Sequence, residues 1–234
     1  MYKKILSGLI IICLWFCMPA FSQELLNQHA GRLLVDHAFT AELPVHVTVE
    51  DTSSNETDRT QEPVTSGVPL PRNAAVTNVH SLILMDEQDR EVPTQFRVLS
   101  RWHGPADDET LPIRWVLIDF QADIPAGGSR SYRLDTGVYQ QQIHDGISID
   151  EQENSLTIDT GAARFILHKQ YFNLFDKVWT QNGSLLVDQQ GKGGVLLVDD
   201  QGKRFTSLHS PPEIFEVEEH GPLHAVVRIR GVLR

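Results

Sequence analysis

The sequence predicts an all-β protein. Three observations carry that expectation: from Leu43 onward the apolar residues recur in runs of strand length, no segment sustains a helical period with caps, and turn-forming clusters separate the runs at short intervals. The runs amount to about a dozen strands, a number suited to a barrel, a sandwich, or one of each.

The amino terminus stands outside this pattern. Lys3 and Lys4 precede an uncharged apolar run from Ile5 to Met18, and Ala20 and Ser22 occupy the −3 and −1 positions of a cut before Gln23. This reads as a signal peptide over residues 1–22, too short for the roughly 20 apolar residues of a membrane-spanning helix, with an uncleaved anchor as the alternative. Ile12 and Phe16 stand where lipid attachment at Cys13 or Cys17 would need a small residue, so both cysteines leave with the leader. The expected mature chain is exported to the periplasm or beyond the cell, has 212 of the 234 residues, and holds its core without disulfides. Losing Lys3 and Lys4 moves the net charge from −11 to −13, which argues against nucleic acid or an anionic membrane surface as partner.

The first strand signal is the alternation Val45-His46-Val47-Thr48-Val49. Asp51 to Glu62 follows as a polar, acidic stretch without a large apolar residue and is expected to be an exposed loop. Leu82 to Met85 and Phe96 to Leu99 are compact runs, the second leading into Arg101-Trp102 and a loop from His103 to Pro112. Ile113 to Phe120 is the strongest element: Val116, Leu117 and Ile118 place apolar side chains on both faces, so it is expected at the centre of a sheet, covered on both sides, with Trp115 in the core.

Pro125-Ala126-Gly127-Gly128 turns the chain into a strand around Tyr132. Gln140, Gln141 and Gln142 then interrupt the β pattern, so a boundary is expected between Gly137 and Asp145, giving domains 23–136 and 137–234. Beyond it lie three hairpins: Ile147 to Ile149 with Leu156 to Ile158, Val178-Trp179 with Leu185 to Val187 across Asn182-Gly183, and Val195 to Val198 returning after Asp200-Gln201-Gly202-Lys203. Ala225 to Ile229 alternates as a last strand with no polar tail after it, which reads as a sheet cut mid-construction.

Several strings stand together in a familiar order: Val64-Thr65-Ser66-Gly67-Val68-Pro69-Leu70-Pro71-Arg72, Val92-Pro93-Thr94-Gln95, Arg101-Trp102, Ile113 to Phe120, Pro125-Ala126-Gly127, Thr160-Gly161-Ala162, Phe165, Phe172 to Asp176 and Gly221 to Val227. They resemble the amino-terminal part of the exo-rhamnogalacturonan lyase-like family over nearly the whole mature chain. The resemblance implies a RIFT-type β-barrel followed by part of a central β-rich domain, here a truncated sandwich or solenoid-like unit, with an α/α toroid further on in full-length members. It implies a secreted polysaccharide lyase acting on rhamnogalacturonan-type pectin by β-elimination, of which this chain is the non-catalytic amino-terminal portion. The implied partners are a pectic polysaccharide and the remaining chain with its toroid. Two departures stand out: Asn73 where the family has glycine, and a longer loop through Glu109-Thr110-Leu111-Pro112 in place of an Asp-Gly-Ser turn. A stand-alone carbohydrate-binding or structural β module is the alternative.

Elimination at a uronic acid needs a base, an acid and a positive group converging in a cleft, and no motif here assigns those roles, so no catalytic residue is named. Arg101 and Trp102 are the candidate carbohydrate-binding pair: a guanidinium can hold a uronate carboxylate through two hydrogen bonds, and an indole can stack on a pyranose face. The competing reading for Arg72, Arg101 and Arg114 is a guanidinium tying loop carbonyls or pairing with Asp119, and Trp179 is a further stacking candidate. His220 and His224 are split by Gly221-Pro222 and make a poor metal pair, while Asp199-Asp200 and Asp86 to Asp89 read as turns rather than calcium loops, so no metal or cofactor is expected.

Overall fold

The computed structural model describes residues 7–15, 33–37, 42–53, 57–138 and 146–234, the first two stretches through their backbone alone. The expected cleavage point before Gln23 and the glutamine-rich boundary at 140–142 lie outside the described residues. The described chain is all-β, with strands joined by turns, loops and three short 3-10 turns. No helix among the described residues is long and apolar enough to cross a membrane.

The chain divides into two compact units, one of Ala20–His144 and one of Met1–Pro19 with Asp145–Arg234. The earliest strand, β1 (Ser7–Trp15), belongs to the second unit, where it pairs antiparallel with the last strand of the chain. The middle of the expected signal peptide is thus extended here, as its β-branched run Ile10-Ile11-Ile12 favours.

Among its described residues, unit Ala20–His144 holds two sheets. One runs β2 (Leu33–His37), β3 (Val45–Asp51), β9 (Ser129–Thr136), β5 (Leu82–Met85), β6 (Glu91–Val92); the other runs β4 (Arg59–Pro69), β8 (Ile113–Ile124), β7 (Thr94–Arg101). They share one core and do not join into a closed ladder among the described residues. Strand alternation builds this core directly: Val45, Val47 and Val49 from β3 meet Val64 and Val68 from β4 and Val116, Ile118 and Phe120 from β8. Phe120 meets Tyr132 edge-on, with ring centroids 4.8 Å apart.

Strand β8 is central, bonded along one edge to β4 and along the other to β7. Its coverage differs from the expectation, because only the stretch Ile118-Asp119-Phe120 is buried on consecutive positions, while Arg114 and Trp115 face solvent. Trp115 is 39 % exposed rather than a core residue. The reason lies on the neighbouring strand: Gly67 adds no side chain, and a Cβ there would stand 3.4 Å from Leu99 Cδ1 and 3.7 Å from Trp115 Cε3. The indole therefore lies over β4 on the outer side of the sheet.

The expected loop from Asp51 to Glu62 is shorter than its composition suggests. Asp51 closes β3 and is buried, Arg59 opens β4, and the two are joined by an ion pair at 3.2 Å. The acids at Asp86 and Asp199 form turns as expected: Asp86 Oδ1 accepts from the Gln88 and Arg90 N–H groups, and Asp199 Oδ1 from those of Gln201 and Lys203.

The second unit holds a five-stranded antiparallel sheet in sequence order: β10 (Ser148–Glu151), β11 (Ser155–Asp159), β12 (Ala163–His168), β13 (Lys177–Thr180) and β14 (Leu185–Asp188). The hairpin β15 (Leu196–Val198) and β16 (Arg204–Thr206) stands apart from a three-stranded sheet ordered β1, β18 (His224–Val232), β17 (Ile214–His220). Leu156, Ile158 and Leu167 of the first sheet share a core with Ala225, Val227 and Ile229 of β18.

The segment Phe172 to Asp176 links β12 to β13 through a buried polar knot. Asp176 Oδ1 accepts from Asn173 Nδ2 at 2.8 Å and from the Gly191 N–H at 3.0 Å, and the Asp176 N–H donates to the Ile166 carbonyl at 2.8 Å. The buried carboxylate is satisfied by these donors, whereas Asn173 Oδ1 has no hydrogen-bond partner among the described residues, and the knot fixes where β13 enters the sheet. That entry point places Trp179.

Candidate functional site

On the solvent side of the five-stranded sheet lies an open groove of about 650 Å³, within the range of small-ligand sites. Strand register builds it. Asp159 of β11 is paired with Arg164 of β12, and Arg164 with Trp179 of β13, so three residues distant in sequence stand in one row across three strands. The next row on the same face pairs Thr157, Ile166 and Lys177. The partners Leu156, Ile158 and Leu167 point the other way into the core, which leaves the groove face free of packing duties.

Each polar group in the first row is oriented by another. Asp159 Oδ2 accepts from Arg164 Nε at 3.1 Å and from Nη2 at 2.9 Å, while Asp159 Oδ1 accepts from the Gly161 N–H at 2.9 Å. The turn Thr160-Gly161-Ala162 is itself pinned: buried Thr160 exchanges hydrogen bonds with Ala163 through its Oγ1, and the Ala162 carbonyl accepts from the Gln181 N–H at 2.8 Å. That last bond ties the β11–β12 turn to the β13–β14 turn at the same end of the groove.

The second turn is a three-residue hairpin. Thr180 N–H donates to the Ser184 carbonyl, Gly183 N–H to the Thr180 carbonyl, and Gly183 takes a φ of +83°, a left-handed conformation that favours glycine. Trp179 is half-buried, with Lys177 Nζ 6.0 Å from its ring centroid. The groove therefore presents an indole face, the Asp159–Arg164 ion pair and a ring of backbone and hydroxyl groups, with the Lys177 ammonium beside the indole. Chemically it can stack a flat apolar sugar face and hold an anionic substituent beside it.

Arg101 and Trp102 lie at the start of the loop from His103 to Pro112. The Arg101 guanidinium is 6 % exposed and turned inward: Nε donates to the Ala106 carbonyl at 2.7 Å, and Nη1 to those of Thr77 at 2.8 Å and Leu111 at 2.7 Å. It closes the loop from His103 to Pro112 on itself, the arrangement of the reading in which a guanidinium ties loop carbonyls. Trp102 is half-buried beside that loop, its indole N–H enclosed and the Arg114 guanidinium 5.1 Å from the ring centroid. One ring face is thus taken by a cation of the protein itself.

The groove joins residues that the sequence leaves scattered. Thr160-Gly161-Ala162 and Trp179 were visible as a motif and as a stacking candidate, but Asp159 and Arg164 carry no signal apart from register. No protein-family model and no curated protein matches the chain. The functional reading therefore rests on the groove and on the residues that form it.

Proposed function

We propose that the chain binds a pectin-type glycan through the Trp179 groove, as the non-catalytic amino-terminal portion of a secreted polysaccharide lyase. The observation that carries the reading is the row Asp159, Arg164, Trp179, in which a stacking surface stands beside a guanidinium held in place by a carboxylate. An aromatic face gives affinity for the C–H face of a pyranose, and the oriented cation selects sugars bearing a carboxylate. The strongly negative net charge makes such a local cationic feature necessary for an anionic ligand.

In this reading Ala20–His144 corresponds to the RIFT-type barrel of the exo-rhamnogalacturonan lyase-like family and the second unit to part of its central β-rich domain. The motif strings that resemble the family support it, and several have structural work: Gly67 beneath Trp115, Arg101 in its loop, Thr160-Gly161-Ala162 at the groove, and Phe172 to Asp176 under β13. The elimination chemistry belongs to the toroid that the family carries further on.

Titration calorimetry of the protein with rhamnogalacturonan oligosaccharides, using dextran as a neutral control, tests the binding. Trp179→Ala is expected to weaken binding at least ten-fold, about 1.4 kcal/mol. Absence of binding by the unsubstituted protein, or equal affinity in the variant, sinks the reading. Sequencing the coding DNA beyond Arg234 tests the attachment to a lyase: helical repeats in frame support it, and a stop codon makes the groove that of a stand-alone binding module.

A further inference from the structure

The turn at the end of the groove holds a reactive arrangement of its own. Asn182 and Gly183 are exposed, and beyond the two adjoining residues nothing lies within 4 Å of where a Cβ on Gly183 would stand. The Asn182 carboxamide oxygen accepts two hydrogen bonds, one from the Ser184 N–H at 3.1 Å and one from the Thr180 hydroxyl. Two donors on a carbonyl oxygen polarise its carbon and stabilise the negative charge that develops there when a nucleophile adds. The adjacent nucleophile is the Gly183 amide nitrogen.

We propose that Asn182 is a site of spontaneous deamidation, promoted by Thr180 and Ser184, and that the product alters the groove. In the first step the Gly183 amide proton passes to solvent hydroxide and its nitrogen forms a bond to Asn182 Cγ. The Cγ–Nδ2 bond then breaks, and the amide group leaves as ammonia after taking a proton from water. One water next adds to either carbonyl of the resulting five-membered imide, opening it to aspartate or isoaspartate at 182. No oxidant or cofactor enters, and the step accelerates as pH rises, because the attacking nitrogen must lose its proton. The hydrogen bond from Gly183 N–H to the Thr180 carbonyl opens in the same step.

Thr180, Gln181 and Gly183 all line the groove, so the new carboxylate stands at its rim, facing the same ligand as Arg164. A like charge there repels an anionic sugar. This consequence rests on the glycan-binding reading; the chemistry at Asn182 does not.

The test is peptide mapping by mass spectrometry of the whole folded protein after incubation in mildly alkaline buffer. Conversion at Asn182 is expected ahead of Asn154 and Asn173, slowed several-fold in Thr180→Val and restored in Thr180→Ser, which keeps the hydroxyl. An intact Asn182 in folded protein whose urea-unfolded form converts, or an unchanged rate in Thr180→Val, overturns the proposal. Asn182→Asp then reads the consequence: several-fold weaker binding of a uronate oligosaccharide is expected, and equal binding overturns the effect on the groove. If the unsubstituted protein binds no glycan, the glycan-binding reading fails and the effect on the groove with it, while the mass result still decides the chemistry.

Discussion

Asp159 Oδ2 lies 3.1 Å from Nε and 2.9 Å from Nη2 of Arg164, gripping one edge of the guanidinium and leaving Nη1 to point elsewhere. Both side chains are substantially exposed, at 34 % and 59 %. Such a pair contributes at most about 1 kcal/mol to folding, so its use is orientation.

Asp159→Asn is therefore expected to leave the urea midpoint almost unchanged while weakening oligosaccharide binding by roughly ten-fold, about 1.4 kcal/mol. Calorimetry and urea unfolding of the same sample check both halves. A large loss of stability would make the pair a structural strut instead.

Arg101 predicts the opposite pattern. Its three bonds to carbonyls are charge-assisted and buried, and a lysine has neither the planar fork nor the reach to make them together. Arg101→Lys is expected to cost about 2–4 kcal/mol in urea unfolding, the range for leaving buried polar groups unpaired, with glycan affinity of the folded fraction unchanged. Limited proteolysis is expected to cut the variant between His103 and Pro112.

Acid stability turns on Asp51. Hydrogen bonds from the Ser53 hydroxyl and N–H lead the causes that hold its carboxyl down to about 2, with the Gly127 N–H and Arg59 adding to them against the opposing effect of burial. A carboxyl lowered by folding contributes stability that is fully present above its ordinary value near 3.8 and is lost as pH falls toward 2. Asp51→Asn is expected to flatten the dependence of the thermal midpoint on pH across that window. An unchanged slope would place the acid sensitivity elsewhere.

Trp115 and Phe120 lie on the same strand, and their substitutions are expected to separate sharply. Phe120→Ala empties a fully buried site and is expected to cost about 3–5 kcal/mol. Trp115→Ala removes a partly exposed ring and is expected to cost about 1 kcal/mol, well below a core truncation. Acrylamide quenching should reach Trp115 in the folded protein and lose that accessible component in the variant.

Strand alternation and turn chemistry are short-range properties, which is why β3, β5, β7, β8 and the later hairpins are legible in the sequence. Trp115 departs from expectation because apolar residues of both parities suggest two covered faces, whereas the outer face is left open by Gly67, 48 positions earlier. Arg101 was legible as a possible loop tie, but its three acceptors come from Thr77, Ala106 and Leu111, a set that only the closed loop defines. The groove was the least legible feature. Its central row needs the register of β11 on β12 and of β12 on β13, and a one-residue slip in either would turn Asp159 or Trp179 into the core.

The twelve residues of β8 are laced to β4 on one side and to β7 on the other, both running the opposite way. A pull applied along this strand loads the two ladders in shear, so many hydrogen bonds carry the force together instead of parting one at a time. β8 is the element best arranged to bear that tension without the core of its unit opening.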